Sequence, residues 1–399
     1  MNISIYTITS PLHDQKTIDE TSRHFLNELN ISFKSVKHDV YDYGTSCLDL
    51  IYIRTGGTEG IFKSLLPTLL EKSSQPFYLL TSGKSNSLAA SMEILSFLRQ
   101  NNLQGEILHG EPAYISDRIK TLAKVNEARK QLQDCNLAII GKPSDWLISS
   151  GVDYQSIKEK LGINLIDIPI EKLIELVKNT QGTEQENWTQ HATSEQVRKS
   201  IAGANAIYLA LKKIIEEYQL QGLTIRCFDL LPTLHNTGCL ALAQLNAEGI
   251  VAGCEGDIPA MLSMKIAHAL TGKTGFQANP ATINPTTGQI LFAHCTIPFD
   301  MIERYELLTH FESGIGVGIR GYMKEGPVTI FKMSGKLDRY FAEEGTLIEC
   351  QDKPNLCRTQ QLIQLSPEST QYFLTNPIGN HHIVIPSHCK ALLQQFLQS

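Results

Sequence analysis

The chain has 399 residues, 42% of them hydrophobic and 19% charged, with a formal net charge of −6. That length exceeds one ordinary core and predicts two or three domains of a soluble protein. The weak acidity contains no block of like charges, which argues against nucleic acid or a membrane surface as partner, and no run of about 18 apolar residues predicts a transmembrane helix.

The opening MNISIYTITSPLHD has neither a basic region nor a cleavage site, and reads as a first strand instead of a signal peptide. Helix and strand signals then alternate. Ile3–Thr9 is an alternating apolar run, and Thr17–Leu29 sets Ile18, Phe25, Leu26 and Leu29 on one helical stripe. Leu50–Arg54, Phe77–Thr81 and Gly105–His109 read as short buried strands, with helices near 58–72 and 87–101 between them. Such alternation predicts a doubly wound parallel sheet. A charged helix over roughly 115–133 leads to a second series, with strands at Asn136–Gly141, Ile163–Ile168 and Leu223–Phe228 and a long helix near 193–220. The polar stretch Gln181–Thr193 reads as a surface loop.

Beyond about residue 276 the pattern changes. Gln289–Cys295, Val317–Met323, Pro327–Met333, Gly345–Cys350 and Gln361–Leu365 are strand candidates without intervening helices, which predicts an antiparallel sheet or barrel. An amphipathic helix, Ser387–Leu397, follows. The expected architecture is α/β. Two doubly wound parallel-sheet (Rossmann or flavodoxin-like) domains, residues 1–132 and 133–276, precede a β-rich, barrel-like antiparallel domain, 277–399.

The most informative stretch is CLALAQLNAEGIVAGCEGDIPAML, residues 239–262, with His294 and the pair His381-His382 downstream. Glu255 follows the short apolar run Ile250-Val251-Ala252, where a carboxylate can be held at the mouth of a sheet. One carboxylate and two histidines form a set that suits a divalent transition metal such as Mn²⁺. Simpler readings exist for each residue. Glu255 can be a carboxylate favoured at a helix N-terminus, and Asp257, before Ile258-Pro259, an N-cap. His294 can be a satisfied core histidine, and Arg226, at the end of a strand, either a substrate ligand or a salt bridge. His381 and His382 are neighbours, so on a strand they face opposite ways. The loops RTGGTEG (54–60) and TSGKSNS (81–87) and the glycines after His310 read first as ordinary turns. Nine scattered cysteines form no CxxC pair, which disfavours zinc ribbons and thioredoxin-like chemistry, and they read as reduced, buried side chains of a cytoplasmic protein. Cys254 and Cys295 flank two proposed ligands, but packing is the first reading for both.

LTIRCFDLLP (223–232), GCEGDIPAML (253–262), LTGKTGFQANP (270–280), ILFAHCTIP (290–298) and IGNHHIVIP (378–386) together resemble the L-fucose isomerase and L-arabinose isomerase superfamily, in particular its shorter fucose isomerase-like members. The resemblance implies an Mn²⁺-dependent aldose–ketose isomerase acting on a sugar or sugar derivative through an enediol, assembled as a homo-oligomer, a hexamer or trimer. It implies Glu255, His294 and His381 as metal ligands, and proton transfer falls either to Glu255 alone or to Glu255 with Asp257 assisting. It puts Asn279 where the family carries a second carboxylate. An amide oxygen can coordinate a hard cation but cannot serve as a general base. Arg226 and His382 are the expected substrate contacts. A carbohydrate-binding protein of the same fold with lost or altered activity, and a metal-dependent epimerase or lyase, are the other readings of that substitution.

Overall fold

Every residue of the first strand, β1 (Ile3–Ile8), is buried, as expected where helices cover both faces of a parallel sheet. In this computed structural model, which describes residues 2–73 and 76–398, β1 pairs in parallel with β2 (Ser35–Lys37) and β3 (Leu48–Ile53). With β4 (Phe77–Leu80) and β5 (Gly105–Leu108) they form a sheet in the order β2-β1-β3-β4-β5. Alternate residues supply two separate cores. Ile3, Ile5, Leu48 and Leu50 belong to one apolar cluster, and Tyr6, Ile8, Ile51 and Ile53 to the other, which is the period-two pleat filling both faces. Asp14 starts the helix Gln15–Glu28 by accepting the Thr17 backbone N–H at 2.9 Å. This sheet lies within the first of two compact units, Met1–Glu127 and Ala128–Ser399.

The second unit begins with another parallel sheet, β6 (Asn136–Ile140), β7 (Asn164–Ile168), β8 (Gly222–Ile225) and β9 (Val251–Gly253), in the order β7-β6-β8-β9. The helix Glu195–Tyr218, capped by Ser194, lays Ile207, Leu211 and Ile214 in the same core as Ala138, Ile140, Leu223 and Ile225. Strand order reverses between β6 and β8, the place where open α/β sheets bind ligands beyond their carboxyl ends. The segments leaving β6, β8 and β9 there begin at Gly141, Arg226 and Cys254.

A closed antiparallel barrel completes this unit. Its strands are β10 (Phe276–Asn284), β11 (Gln289–His294), β14 (Gly326–Met333), β15 (Tyr340–Cys350), β16 (Thr359–Gln364) and β17 (His382–Ile385), in the order β10-β11-β16-β15-β14-β17. A separate hairpin pairs β12 (Arg304–Leu308) with β13 (Gly318–Tyr322). Alternate residues Phe276 and Ala278, Ile290 and Phe292, and Val328 and Ile330 join one buried cluster. Two parallel α/β sheets followed by an antiparallel barrel are the architecture predicted from the sequence. Strand β10 was not predicted: it contains Pro280, and its register with β11 shifts between Pro280 and Thr282, since proline in a strand sits at such irregularities. Among the described residues no helix is long and apolar enough to cross a membrane.

Candidate metal centre

Glu255 sits in the turn between β9 and the helix Ile258–Thr271, with φ of 64°. A side chain in that left-handed region costs about 1–2 kcal/mol, so the turn must be held from outside. It is held from two sides. Ser144 N–H donates to the Glu255 carbonyl at 2.9 Å, and Gly256 N–H donates to the Ile225 carbonyl at 2.9 Å. Gly256 is also left-handed, and a Cβ there would stand 2.5 Å from the Lys142 carbonyl oxygen. The loop after β6 can therefore lie directly on the turn. From that loop Trp146 Nε1–H donates to Glu255 Oε2 at 2.7 Å, leaving Oε1 to face the barrel.

Two imidazoles meet Oε1. His294 ends β11 and His381 precedes β17, and the Nε2 of each lies 3.5 Å from Glu255 Oε1. Their ring centroids are 5.4 Å apart. Both rings are oriented from behind: His294 Nδ1 is 3.0 Å from Thr296 Oγ1, and His381 Nδ1 is 2.8 Å from Asp257 Oδ2. His381 Nε2 is buried and has no hydrogen-bond partner among the described residues. A fully buried nitrogen without a partner is rare in a folded protein.

One donor atom from each of Glu255, His294 and His381 lies within 4.8 Å of the others. Donors about 2.0–2.2 Å from a shared ion sit roughly 3–4 Å apart, so the group fits a divalent cation after a small contraction. Three ligands leave positions open, as catalytic sites do, and thiolates typical of closed zinc sites are not among them. Asp257 behind His381 is the outer carboxylate that metal-ligating histidines commonly carry.

Burial opposes charge on Glu255, Asp257, His381 and Lys332, and the partners win for the first three. Burial pushes Glu255 up, but His294 and His381 hold it well below the usual carboxylate range. Burial likewise pushes Asp257 up, and Lys332 and His381 outweigh it, so Asp257 is also held low. Burial lowers His381, yet its bond to Asp257 and the nearby Glu255 carboxylate raise it to about 9. For Lys332 burial dominates and its ammonium is lowered despite Asp257. The pair Asp257–Lys332, 3.4 Å apart and essentially unexposed, is best described as ionised, because Asp257 also receives His381 and the Ala260 N–H at 2.8 Å.

The remaining predicted site residues lie outside this group. Asp257 is fully buried and serves as N-cap, so it positions His381 and does not reach substrate. Asn279 lies on β10, its Oδ1 accepting from Asn380 Nδ2 at 3.0 Å. Arg226 bonds Asp229 through Nε, the Pro143 carbonyl through Nη1 at 2.6 Å and Asp145 through Nη2 at 2.7 Å. Its guanidinium is spent on pinning the loop that carries Trp146. His382 departs most from expectation. It is fully buried, with Nε2 3.0 Å from the Tyr372 hydroxyl and its ring against Phe373, because β17 pairs it with Ala278 on the apolar side of the barrel. It is a core residue, not a substrate contact.

Sequence reasoning missed Trp146, Thr296, Lys332 and Gln277. Gln277 accepts the Cys254 N–H at 2.9 Å and donates to its carbonyl, bracing the residue before Glu255. Only Thr296, two residues beyond a predicted ligand, carried a local signal. Cys227 and Cys254 pack with their sulfurs 3.1 Å apart in the same core.

No family model matches the chain. It is 24% identical over 273 residues to the sulfoquinovose isomerase of Alkalicoccus urumqiensis, and equally to that of Priestia megaterium (strain ATCC 12872 / QMB1551). It is 24% identical over 276 residues to the sulfoquinovose isomerase of Clostridium sp. (strain MSTE9). The chain is similar to sugar isomerases. Each match covers 64% of this chain and about 60% of the length of the curated relative.

Proposed function

We propose that this chain is a divalent-metal-dependent aldose–ketose isomerase whose substrate is a sugar bearing an anionic substituent, of the sulfoquinovose kind. The observation that carries the reading is the convergence of Glu255 Oε1 with the Nε2 atoms of His294 and His381 around the unpartnered His381 Nε2. Similarity to sulfoquinovose isomerases supports the substrate class. Mn²⁺ is the proposed ion, since a mixed carboxylate and imidazole set suits it. A homo-oligomer in the cytoplasm, trimeric or hexameric, is the proposed working form.

When bound, such an ion supplies Lewis-acid polarisation of a carbonyl and its neighbouring hydroxyl. The chain's residues do the rest. Glu255 removes the proton from C2 of the open-chain aldose and returns it to C1, the electron pair moving from C2–H through the enediolate to the new C1–H bond. The hydroxyl proton passes from O2 to O1, so the product is the ketose with no atom gained or lost. General base work of this kind contributes roughly 10²–10⁴-fold. Trp146 holds Oε2 and keeps the carboxylate aimed. Trp146 is itself braced by Phe228, edge to face with ring centroids 5.0 Å apart. Thr296 and Asp257 fix the two imidazoles.

The test is incubation of Mn²⁺-loaded protein with sulfoquinovose and with uncharged aldoses, monitored for ketose. Conversion that vanishes in Glu255→Gln supports the reading, and no conversion of any sugar by fully loaded protein contradicts it. Asn279 favours a second reading, a sugar-binding protein without turnover, because an amide stands where the resembling family carries a carboxylate. Tight sugar binding without ketose would establish that one.

A further inference from the structure

A cleft of about 240 Å³ opens on the far side of Asp257 from the metal centre, lined by Ser150, Lys332, Ser334, Lys336, Arg339 and Gly379 among others. Its floor holds an unusual cation. The Lys332 side chain is 2% exposed, and Asp257 is the only hydrogen-bond acceptor its ammonium reaches among the described residues, at 3.4 and 3.5 Å. Both contacts are long, and Asp257 is already engaged by His381 and by its own helix. An ammonium carries three donors, so this one is buried and under-supplied with acceptors, a costly state for a charge.

The rim adds to the imbalance. Lys336 and Arg339 are both exposed. Arg339 uses Nη1 on Asn376 at 2.7 Å, and its other guanidinium N–H groups have no hydrogen-bond partner among the described residues. The one carboxylate on the rim, Asp338, is turned onto Ser334 Oγ at 2.6 Å. Ser150, buried, also lines the cleft. Three cationic side chains thus meet two carboxylates here, Asp257 beneath Lys332 and Asp338 on the rim, each already engaged elsewhere. Ammonium and guanidinium donors converging in this way are what phosphate and sulfonate groups demand.

We propose that this cleft is a second binding site, for a small tetrahedral oxyanion, and that it communicates with the metal centre through Lys332, Asp257 and His381. The site stands on its own residues and does not depend on the isomerase reading. It lies behind the Nδ1 edge of His381, while Nε2 faces Glu255 on the other edge. The fully buried Asp257 and His381 separate the two places. The occupant is therefore a free anion, not the far end of a sugar held at the metal. An anion that draws the ammonium toward itself leaves Asp257 more fully to His381. A better-held His381 is a better ligand, so anion and cation favour each other, and the coupling is reciprocal.

The experiment titrates sulfate into metal-stripped full-length protein at constant ionic strength, with chloride as control, followed by calorimetry. Saturable binding of one sulfate per chain is expected, weakened at least roughly tenfold in Lys336→Gln/Arg339→Gln, whose exposed side chains leave the fold intact. Sulfate behaving like chloride, or binding equally to the double variant, overturns the site. In a second arm, saturating sulfate should tighten Mn²⁺ binding about fivefold or more, with no such change in the double variant. Unchanged Mn²⁺ affinity overturns the communication. Sulfate that competes with a sulfonated sugar, with the double variant binding that sugar more weakly, overturns the free-anion assignment.

Discussion

Asp257 Oδ2 accepts a hydrogen bond from His381 Nδ1 at 2.8 Å, and both side chains are fully buried. That single contact sets the tautomer of His381 and aims its Nε2 at Glu255. It also ties the metal centre to the N-terminus of the helix Ile258–Thr271, because the other oxygen of Asp257 caps Ala260. Asp257→Asn keeps a competent cap, since Asn and Asp are near equals there, but removes the charge behind the histidine. Metal affinity should fall by about 10–100-fold, the usual cost of losing an outer carboxylate. Affinity unchanged in this variant, measured by competition with a chelator, would show that His381 is aimed by something else.

The two adjacent histidines should behave differently on substitution. His381→Ala removes a ligand and should abolish tight metal binding. His382→Ala should leave metal binding near wild type but cut stability by about 2–4 kcal/mol, through a cavity beside Phe373 and a Tyr372 hydroxyl left short of a partner. Paired metal titrations and urea melts check this. A reversed ranking would mean that β17 is out of register by one residue.

The left-handed backbone at Glu255 gives a prediction independent of any ligand. Both Glu255→Gly and Glu255→Ala lose the carboxylate, but only glycine is at ease with φ of 64°. The glycine variant should be more stable than the alanine variant by about 1 kcal/mol. Equal melting curves in the metal-free state would deny the strain.

His381 is raised to about 9 by Asp257 and Glu255 against the pull of burial, so at neutral pH it carries a proton in the metal-free chain. Coordination needs the neutral ring. Each ion bound near pH 7 should release about one proton, and affinity should climb by up to about tenfold per pH unit until roughly pH 9. Calorimetry in two buffers of different ionisation enthalpy reads the proton count. For the metal-free fold the dependence is opposite. A pKa raised above its unfolded value of about 6.5 stabilises fully below that pH and loses its contribution as pH rises toward 9. Metal-free protein should therefore melt at a lower temperature at pH 9 than at pH 6.5, and an increase would contradict the assignment.

The pleat and its alternation made the parallel sheets legible, because Ile3, Ile5, Tyr6 and Ile8 announce a strand buried on both faces. The metal group was legible because each of its three members lies in a short motif next to a strand end. What the sequence did not disclose is what surrounds them. Trp146 and Lys332 reach Glu255 and Asp257 across 109 and 75 residues, and nothing in their local sequence marks that approach. Arg226 could be placed at a strand end, but its commitment to Asp145, Asp229 and Pro143 depends on how one loop folds back. The inward turn of His382 follows from pairing with Ala278, a register that requires recognising β10 despite Pro280.

Glu255, His294 and His381 are proposed to hold one divalent cation between them. Elemental analysis after Mn²⁺ loading and desalting tests it most directly, on the wild-type chain beside Glu255→Gln and His381→Ala. About one ion per chain in the wild type, lost in both variants, is the predicted result. A wild-type chain that retains no transition metal, or variants that retain as much as the wild type, would contradict it.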